Sequence, residues 1–301
     1  MTDETSTRQT TTAPQDDSAA PQDDTTAPHE YSAPHKAVIM ARGLGTRMRR
    51  AAEGIELDDG QASAAAAGVK AMISMEGGRP FLDHVISALA DVGYDEFCLV
   101  IGPEHQMIRD YYDGLAKTRV SVSYAVQAEP LGTADAVAAA ESFAGPDRVL
   151  VVNSDNFYPP KAVARLAEAP ASATLGFVKH SMIAESNIDP DRIAAFALLS
   201  TDDGQLAEIV EKPSAEVVEA AGEDALVSMN CFLFTPAVFA ACRSIEKSPR
   251  GEFEIVDAVR RMVAQGNRFD VIAVEAGVLD MSSRGDIASV EAALGAAEVV
   301  L

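Results

Sequence analysis

The amino-acid sequence predicts an α/β protein, and three observations carry that prediction. Short apolar runs, AVIMA from Ala37, EFCLVI from Glu96 and RVLVVN from Arg148, have the length and composition of buried strands. Segments with apolar residues at helical spacing, 81–92 and about 104–113, lie between them. The first run also turns abruptly into Gly43-Leu44-Gly45-Thr46-Arg47. A buried strand followed at once by glycines is how α/β proteins present backbone N–H groups to a phosphate. Glycine lets the backbone approach closely, and Arg47 adds an always-charged fork for phosphate oxygens. The plain alternative is a tight turn with a surface arginine. A dinucleotide fingerprint does not fit, because its third glycine would fall on Met48, and no Gly-Lys-Ser/Thr string makes a P-loop.

Composition narrows the function classes. The chain has 301 residues, 48% hydrophobic and 23% charged, a globular balance sufficient for one large domain or two small ones. No apolar run nears the roughly 20 residues that span a bilayer, and the polar N-terminus lacks a signal-peptide core. Cys98, Cys231 and Cys242 lack metal-ligand spacing. The first two sit in apolar strand-like runs, as buried free thiols do, which points to a reducing cytoplasm. A formal net charge of −22 argues against nonspecific nucleic-acid binding. It leaves room for a nucleotide, because a metal ion and a few local cations can offset it at one site. Residues 1–34, with APQDD at Ala13 and again at Ala20, bury too little apolar surface to fold. They are expected to be a disordered acidic tail, dispensable for folding.

The segment Arg49–Gly68 is rich in alanine and glycine. It reads either as a mobile flap with one frayed helical turn or as a plain surface insertion, and it ends at Val69-Lys70-Ala71. Strand 120–126 alternates and leads into Gln127-Ala128-Glu129-Pro130-Leu131-Gly132-Thr133-Ala134, then an alanine-rich helix. A primary amide offers donor and acceptor together, so Gln127 can pair with a base edge. Strand 148–153 ends in Ser154-Asp155-Asn156, where α/β folds place ligands. Hard carboxylate oxygens there suit Mg²⁺ with substrate phosphates; the ordinary alternative is a turn or helix cap. Strands are expected at 173–179 and 195–200 with a polar loop, Ser186–Arg192, between them. Strand 205–210 leads into Glu211-Lys212-Pro213, whose plain reading is a charged strand end before a proline break. Strand 226–235 carries Asn230, and RGEFEIVD at 250–257 begins a helix. Strand 271–275 precedes Asp280, either a metal ligand or a cap for a helix over 284–298.

Taken in order, these stretches resemble the sugar-1-phosphate nucleotidylyltransferases, of the glucose-1-phosphate thymidylyl- and uridylyltransferase type, from residue 36 to about 298. The resemblance implies a Rossmann-like three-layer α/β/α core with a central mixed, mostly parallel sheet. It implies one domain over 35–301, with a nucleotide-binding half to 160 and a sugar-phosphate-binding half from 161. Ala41, Gly43, Gly45, Thr46, Gln127, Gly132 and Thr133 would bind the nucleotide, and Arg47 and Lys70 its β- and γ-phosphates. Asp155 and Asp280 would share Mg²⁺. Lys212 would clamp the sugar phosphate, with Glu211, Asn156 and Asn230 on the acceptor. Arg42, Val69, Ser154, Val278 and Ser282 depart from the family pattern; Arg42 stands where the family usually has Gly or Ala. The implied activity transfers a nucleoside monophosphate from a triphosphate to a sugar 1-phosphate, or a cyclitol 1-phosphate, and releases pyrophosphate. The base leans to UTP or dTTP, with GTP next and adenine open. Two other classes stay in view. One is a noncatalytic nucleotide-sugar-binding relative. The other is a glycosyltransferase, which usually carries Asp-x-Asp where this chain has Ser154-Asp155-Asn156. No nucleic-acid or membrane partner is expected, and a homo-oligomer is compatible with the sequence.

Overall fold

The computed structural model describes residues 1, 31–43, 45–50, 57–295 and 297–301. Most of the acidic tail expected over 1–34 lies outside these residues, whereas 31–34 belong to the body formed by 31–301. The strands are Lys36–Met40 (β1), Glu96–Ile101 (β2), Ser121–Val126 (β3), Val149–Asn153 (β4) and Asn156–Phe157 (β5). They continue with Ser172–Val178 (β6), Leu198–Asp202 (β7), Gln205–Val210 (β8), Leu226–Phe234 (β9), Phe269–Val274 (β10) and Leu279–Asp280 (β11).

β1 shows why the molecule has three layers. Successive side chains of a strand point to opposite faces. Ile39 enters a core with Leu82, Ile86 and Tyr112, and Val38 enters another with Val137, Phe239 and Val259. A strand apolar on both faces needs helices over both. The main sheet runs β3-β2-β1-β4-β9-β6-β10-β8-β7. It is parallel from β3 to β4 and antiparallel where β9 enters between β4 and β6. The sheet is thus mixed, as expected.

Two features of register build the site. β1 and β4 are parallel neighbours with Met40 opposite Asn153, so both chains leave the sheet at the same edge. The Ser154 N–H donates to the Met40 carbonyl across that edge at 3.2 Å. Separately, β5 and β11 form a two-stranded antiparallel ladder with Asp280 opposite Asn156. In β9 the register against β6 shifts: Thr174 pairs with Phe232, but Gly176 pairs with Ser228. The extra length is taken up around Asn230, whose φ of 56° is left-handed. Asparagine tolerates that region better than other side chains, and such irregularities re-aim side chains near functional sites.

Some elements differ from expectation. The insertion after the glycine loop holds a nine-residue helix, Asp59–Ala67, rather than one frayed turn. Asp58 and Gln61 form a reciprocal capping box at its start, and Gly68 closes it in the left-handed conformation. The loop Ser186–Arg192 contains the start of a short helix, Pro190–Ile193. The last helix spans Ile287–Leu294, preceded by a 3₁₀ turn, and ends at Gly295 with φ 56°. Cys98, Cys231 and Cys242 are buried free thiols. No helix among the described residues is long and apolar enough to cross a membrane.

The N-terminal margin has a measurable role. Arg148 is buried, and burial lowers its pKa. Its guanidinium donates to the carbonyls of Ala169 and Ser32, the latter at 3.1 Å, with the Tyr31 ring 5.6 Å away. A chain beginning at Tyr31 is therefore expected to keep the full-length denaturation midpoint. One beginning at Pro34 strips a partner from a buried cation and should lose roughly 1–3 kcal/mol. Equal midpoints for the two truncations would show that Ser32 and Tyr31 contribute nothing.

Candidate active site

The β1/β4 edge, the β5/β11 ladder and the β9 irregularity together enclose a cavity of about 530 Å³. One wall begins with the glycine loop. Gly45 has φ 57°, and a Cβ there would lie 2.1 Å from the Gly68 carbonyl oxygen. Only glycine permits this contact, which packs the loop against the end of helix Asp59–Ala67 and so positions the chain that follows. Two residues beyond Gly68, the Lys70 ammonium reaches the Asp155 carboxylate at 2.6 Å. Ala41, Gly43, Thr46 and Arg47 also line the cavity. Arg47 is exposed, and its side chain makes no hydrogen bond or ion pair among the described residues.

Arg42 makes the contacts that Arg47 lacks. Its side chain is only 7% exposed and crosses to Glu104 at 3.4 Å. The same Nη2 donates to the Ala128 carbonyl at 3.0 Å. It ties the glycine loop to the segment after β3, while its Nε and Nη1 are buried without partners among the described residues. Glu104 responds electrostatically: its own backbone N–H, and then Arg42 and His105, hold its carboxyl below the usual range.

Gln127 ends β3 and is buried. Its Nε2 donates to the Gly132 carbonyl at 2.9 Å and to Asp135 Oδ2 at 2.8 Å. Both partners only accept, so the amide has one permitted orientation, and Oε1 makes no hydrogen bond among the described residues. Gly132 has φ 117°, and a Cβ there would lie 2.4 Å from the Phe253 carbonyl oxygen. Phe253 brackets this loop, with its N–H on Leu131 and its carbonyl on the Ala134 N–H. Thr133 Oγ1 accepts from the Ile255 N–H at 2.8 Å, so its hydroxyl caps the following helix while the residue lines the cavity. This explains why RGEFEIVD is helical only from Ile255 onward.

The floor is acidic. Asn156 Nδ2 donates to Asp280 Oδ1 at 3.0 Å, and the Met281 N–H donates to the Asp155 carbonyl at 2.8 Å. Asn153 Nδ2 in turn holds Asn156 Oδ1 at 2.9 Å. Asp280 Oδ2 accepts from Arg192 Nη2 at 2.8 Å, so each carboxylate of the pair faces a basic side chain. Asp155 Oδ1 makes no hydrogen bond among the described residues. Mg²⁺ uses one or two carboxylates and completes its shell with water and substrate phosphates. Two hard carboxylates beside a phosphate-ready loop fit that requirement.

Most sequence-selected residues meet here, Asn230 included. Glu211 and Lys212 do not: they stand outside the cavity walls. Lys212 is exposed with φ 47°, and burial together with Glu254 raises the Glu211 pKa. Arg192, Asn153, Ser228 and Glu252 line the cavity without having been selected. Arg192 came from a loop without periodicity or motif, and its partner Asp280 lies 88 residues away, so no local signal could identify it.

The profile of the nucleotidyl transferase family matches residues 64–280. The chain belongs to that family. It is similar to the UTP–glucose-1-phosphate uridylyltransferase of Haloferax volcanii, 29% identical over 82% of this chain and 90% of that one. It is 27% identical to a glucose-1-phosphate thymidylyltransferase of Streptomyces antibioticus, over 85% of this chain and 65% of that one. Among solved structures, a UDP-glucose pyrophosphorylase complexed with UDP-glucose superposes with a TM-score of 0.66 at 17% identity, covering 86% of this chain and 98% of that one. A UDP-glucose pyrophosphorylase from Acinetobacter baumanii gives 0.64 at 19%, covering 87% and 93%. Both show the same nucleotidyltransferase fold.

The orientation of Gln127 is directly testable. Gln127→Glu would set a carboxylate against Asp135 and the Gly132 carbonyl, costing about 1–3 kcal/mol of stability. Adding Asp135→Asn should recover most of that loss in a thermal or urea midpoint. An unchanged midpoint in Gln127→Glu would contradict the assigned hydrogen bonds.

Proposed function

We propose that this protein transfers a uridylyl or thymidylyl group from UTP or dTTP to a sugar 1-phosphate and releases pyrophosphate. The observation that carries the reading is the meeting of the glycine loop, Arg47 and Lys70 with Asp155 and Asp280 in one cavity. In the reaction an oxygen of the acceptor phosphate attacks the α-phosphorus, and the bond from that phosphorus to the bridging oxygen breaks. Pyrophosphate departs with the electron pair. No protein nucleophile is needed, so positioning and charge neutralisation supply the catalysis.

The glycine-loop N–H groups and Arg47 receive the phosphates, and Lys70 moves between Asp155 and the departing pyrophosphate. Asp155 and Asp280 would hold Mg²⁺, which when bound supplies positive charge to the phosphates. Gln127 Oε1 accepts from the ring N–H of uracil or thymine. Guanine also presents a ring N–H, so the pyrimidine preference leans further on the names of the two relatives above. Glu211 and Lys212 serve the acceptor only if the segment after β8 moves inward. A cyclitol 1-phosphate is the second acceptor class, because Asn230 places an amide where a smaller residue is usual.

Pyrophosphate release across four triphosphates, with glucose 1-phosphate and a cyclitol 1-phosphate as acceptors, tests the reading. The highest kcat/KM is expected with UTP or dTTP and glucose 1-phosphate. Preference for a purine triphosphate would overturn the base assignment. Consumption of a nucleotide sugar without pyrophosphate release would indicate a glycosyltransferase, and no turnover a binding protein. Asp155→Asn and Asp280→Asn should each lower kcat at least ~10²-fold, the scale of a lost transition-state charge contact. Near-normal turnover at low magnesium in either variant would remove that residue from the metal assignment.

A further inference from the structure

The segment joining β6 to β7 folds over β11 and is built around Asp280. Ser186 Oγ accepts from the Val278 N–H at 3.0 Å. Asn187 brackets the Asp280 backbone, accepting from its N–H at 2.7 Å and donating to its carbonyl at 2.9 Å. Gly277 admits this close approach, since a Cβ there would lie 2.4 Å from the Glu185 carbonyl carbon. The short helix Pro190–Ile193, capped by Asp189, then projects Arg192. Its Nη2 donates to Asp280 Oδ2 at 2.8 Å and to Ser282 Oγ at 3.1 Å. The Asp280 side chain is 8% exposed and that of Arg192 33%. The remaining guanidinium N–H groups have no hydrogen-bond partner among the described residues.

We infer that Arg192 is a phosphate clamp for the acceptor, resting on Asp280 as its counterion while the site is empty. The inference rests on the transferase reading above. Four basic residues line the cavity: Arg42, Arg47, Lys70 and Arg192. Arg42 is tied to Ala128 and Glu104, and Arg47 and Lys70 belong to the triphosphate side. Among the described residues Arg192 is the basic side chain that the acceptor half contributes to the walls, whereas Lys212 lies outside them. Both Asp280 oxygens already have donors, and a divalent cation joining the same carboxylate sets its charge against the Arg192 guanidinium. Asn156 is buried and held by Asn153 and Tyr158. Arg192 is the partner free to move. Once displaced its side chain stays beside the site, because Asn187 holds the segment that carries it to the Asp280 backbone, and its planar fork suits a phosphate dianion. Cation binding thus releases the clamp, which favours loading of the triphosphate with its cation before the acceptor.

Two variants, Arg192→Gln and Arg192→Lys, test this with two readouts. In steady-state kinetics Arg192→Gln should raise the KM for glucose 1-phosphate about 10- to 100-fold, the worth of a hydrogen bond to a charged group. Its KM for the triphosphate should stay within about twofold, and Arg192→Lys should recover part of the loss. In substrate-free protein, Mn²⁺ titration followed by electron paramagnetic resonance should show tighter binding in Arg192→Gln than in wild type, because the competing guanidinium is gone. An unchanged acceptor KM, or Mn²⁺ binding that is equal or weaker, overturns the inference. If the wild type turns over no triphosphate, the transferase reading fails, and Mn²⁺ titration alone decides whether Arg192 competes for Asp280. Should Arg192→Gln fail to fold, Arg192→Lys carries both readouts, with a smaller rise in acceptor KM expected.

Discussion

The site depends on one pairing, that of Asn156 with Asp280 across the β5/β11 ladder. A carboxylate as enclosed as Asp280 is costly unless hydrogen-bonded and charge-compensated. Asn156, Arg192 and the Asn187 bracket meet that requirement together. The ladder brings the chain after β10 to the end of β4 and sets two acidic side chains where the parallel pair β1 and β4 leaves the sheet. Without it Asp155 would stand at an ordinary strand end.

The wall built by the glycine loop and Gln127 obeys a second constraint, economy of donors. Gln127 commits its amide nitrogen to Gly132 and Asp135, which ties the loop to the helix that follows it. Arg42 commits Nη2 to Glu104 and Ala128, leaving two buried nitrogens without partners among the described residues. That is a standing cost, and the contact links the glycine loop to the segment after β3. Gly45 and Gly132 are used where backbone meets backbone, against Gly68 and Phe253, so these loops are set by packing as much as by ligand chemistry.

Much of the site was legible because its signals are local. A strand that breaks into glycines, a glutamine loop entering an alanine-rich helix and an aspartate at a strand end are each short and chemically distinct. The helix Asp59–Ala67 was harder to see, since a run of alanines carries no amphipathic stripe and its evidence lies in the capping pair Asp58 and Gln61. Glu211 and Lys212 were legible as a charged strand end, but their position relative to the cavity depends on the path of the chain after β8.

By itself the sequence determined the α/β class, the buried strands and the glycine loop at the end of the first strand, because period, apolar content and glycine placement act over a few residues. Only the tertiary structure decided which carboxylates share a floor, which way the Gln127 amide faces and that Arg192 rests on Asp280. Those outcomes depend on register and on which donors remain unpaired after folding, and the two carboxylates, Asp155 and Asp280, stand 125 positions apart.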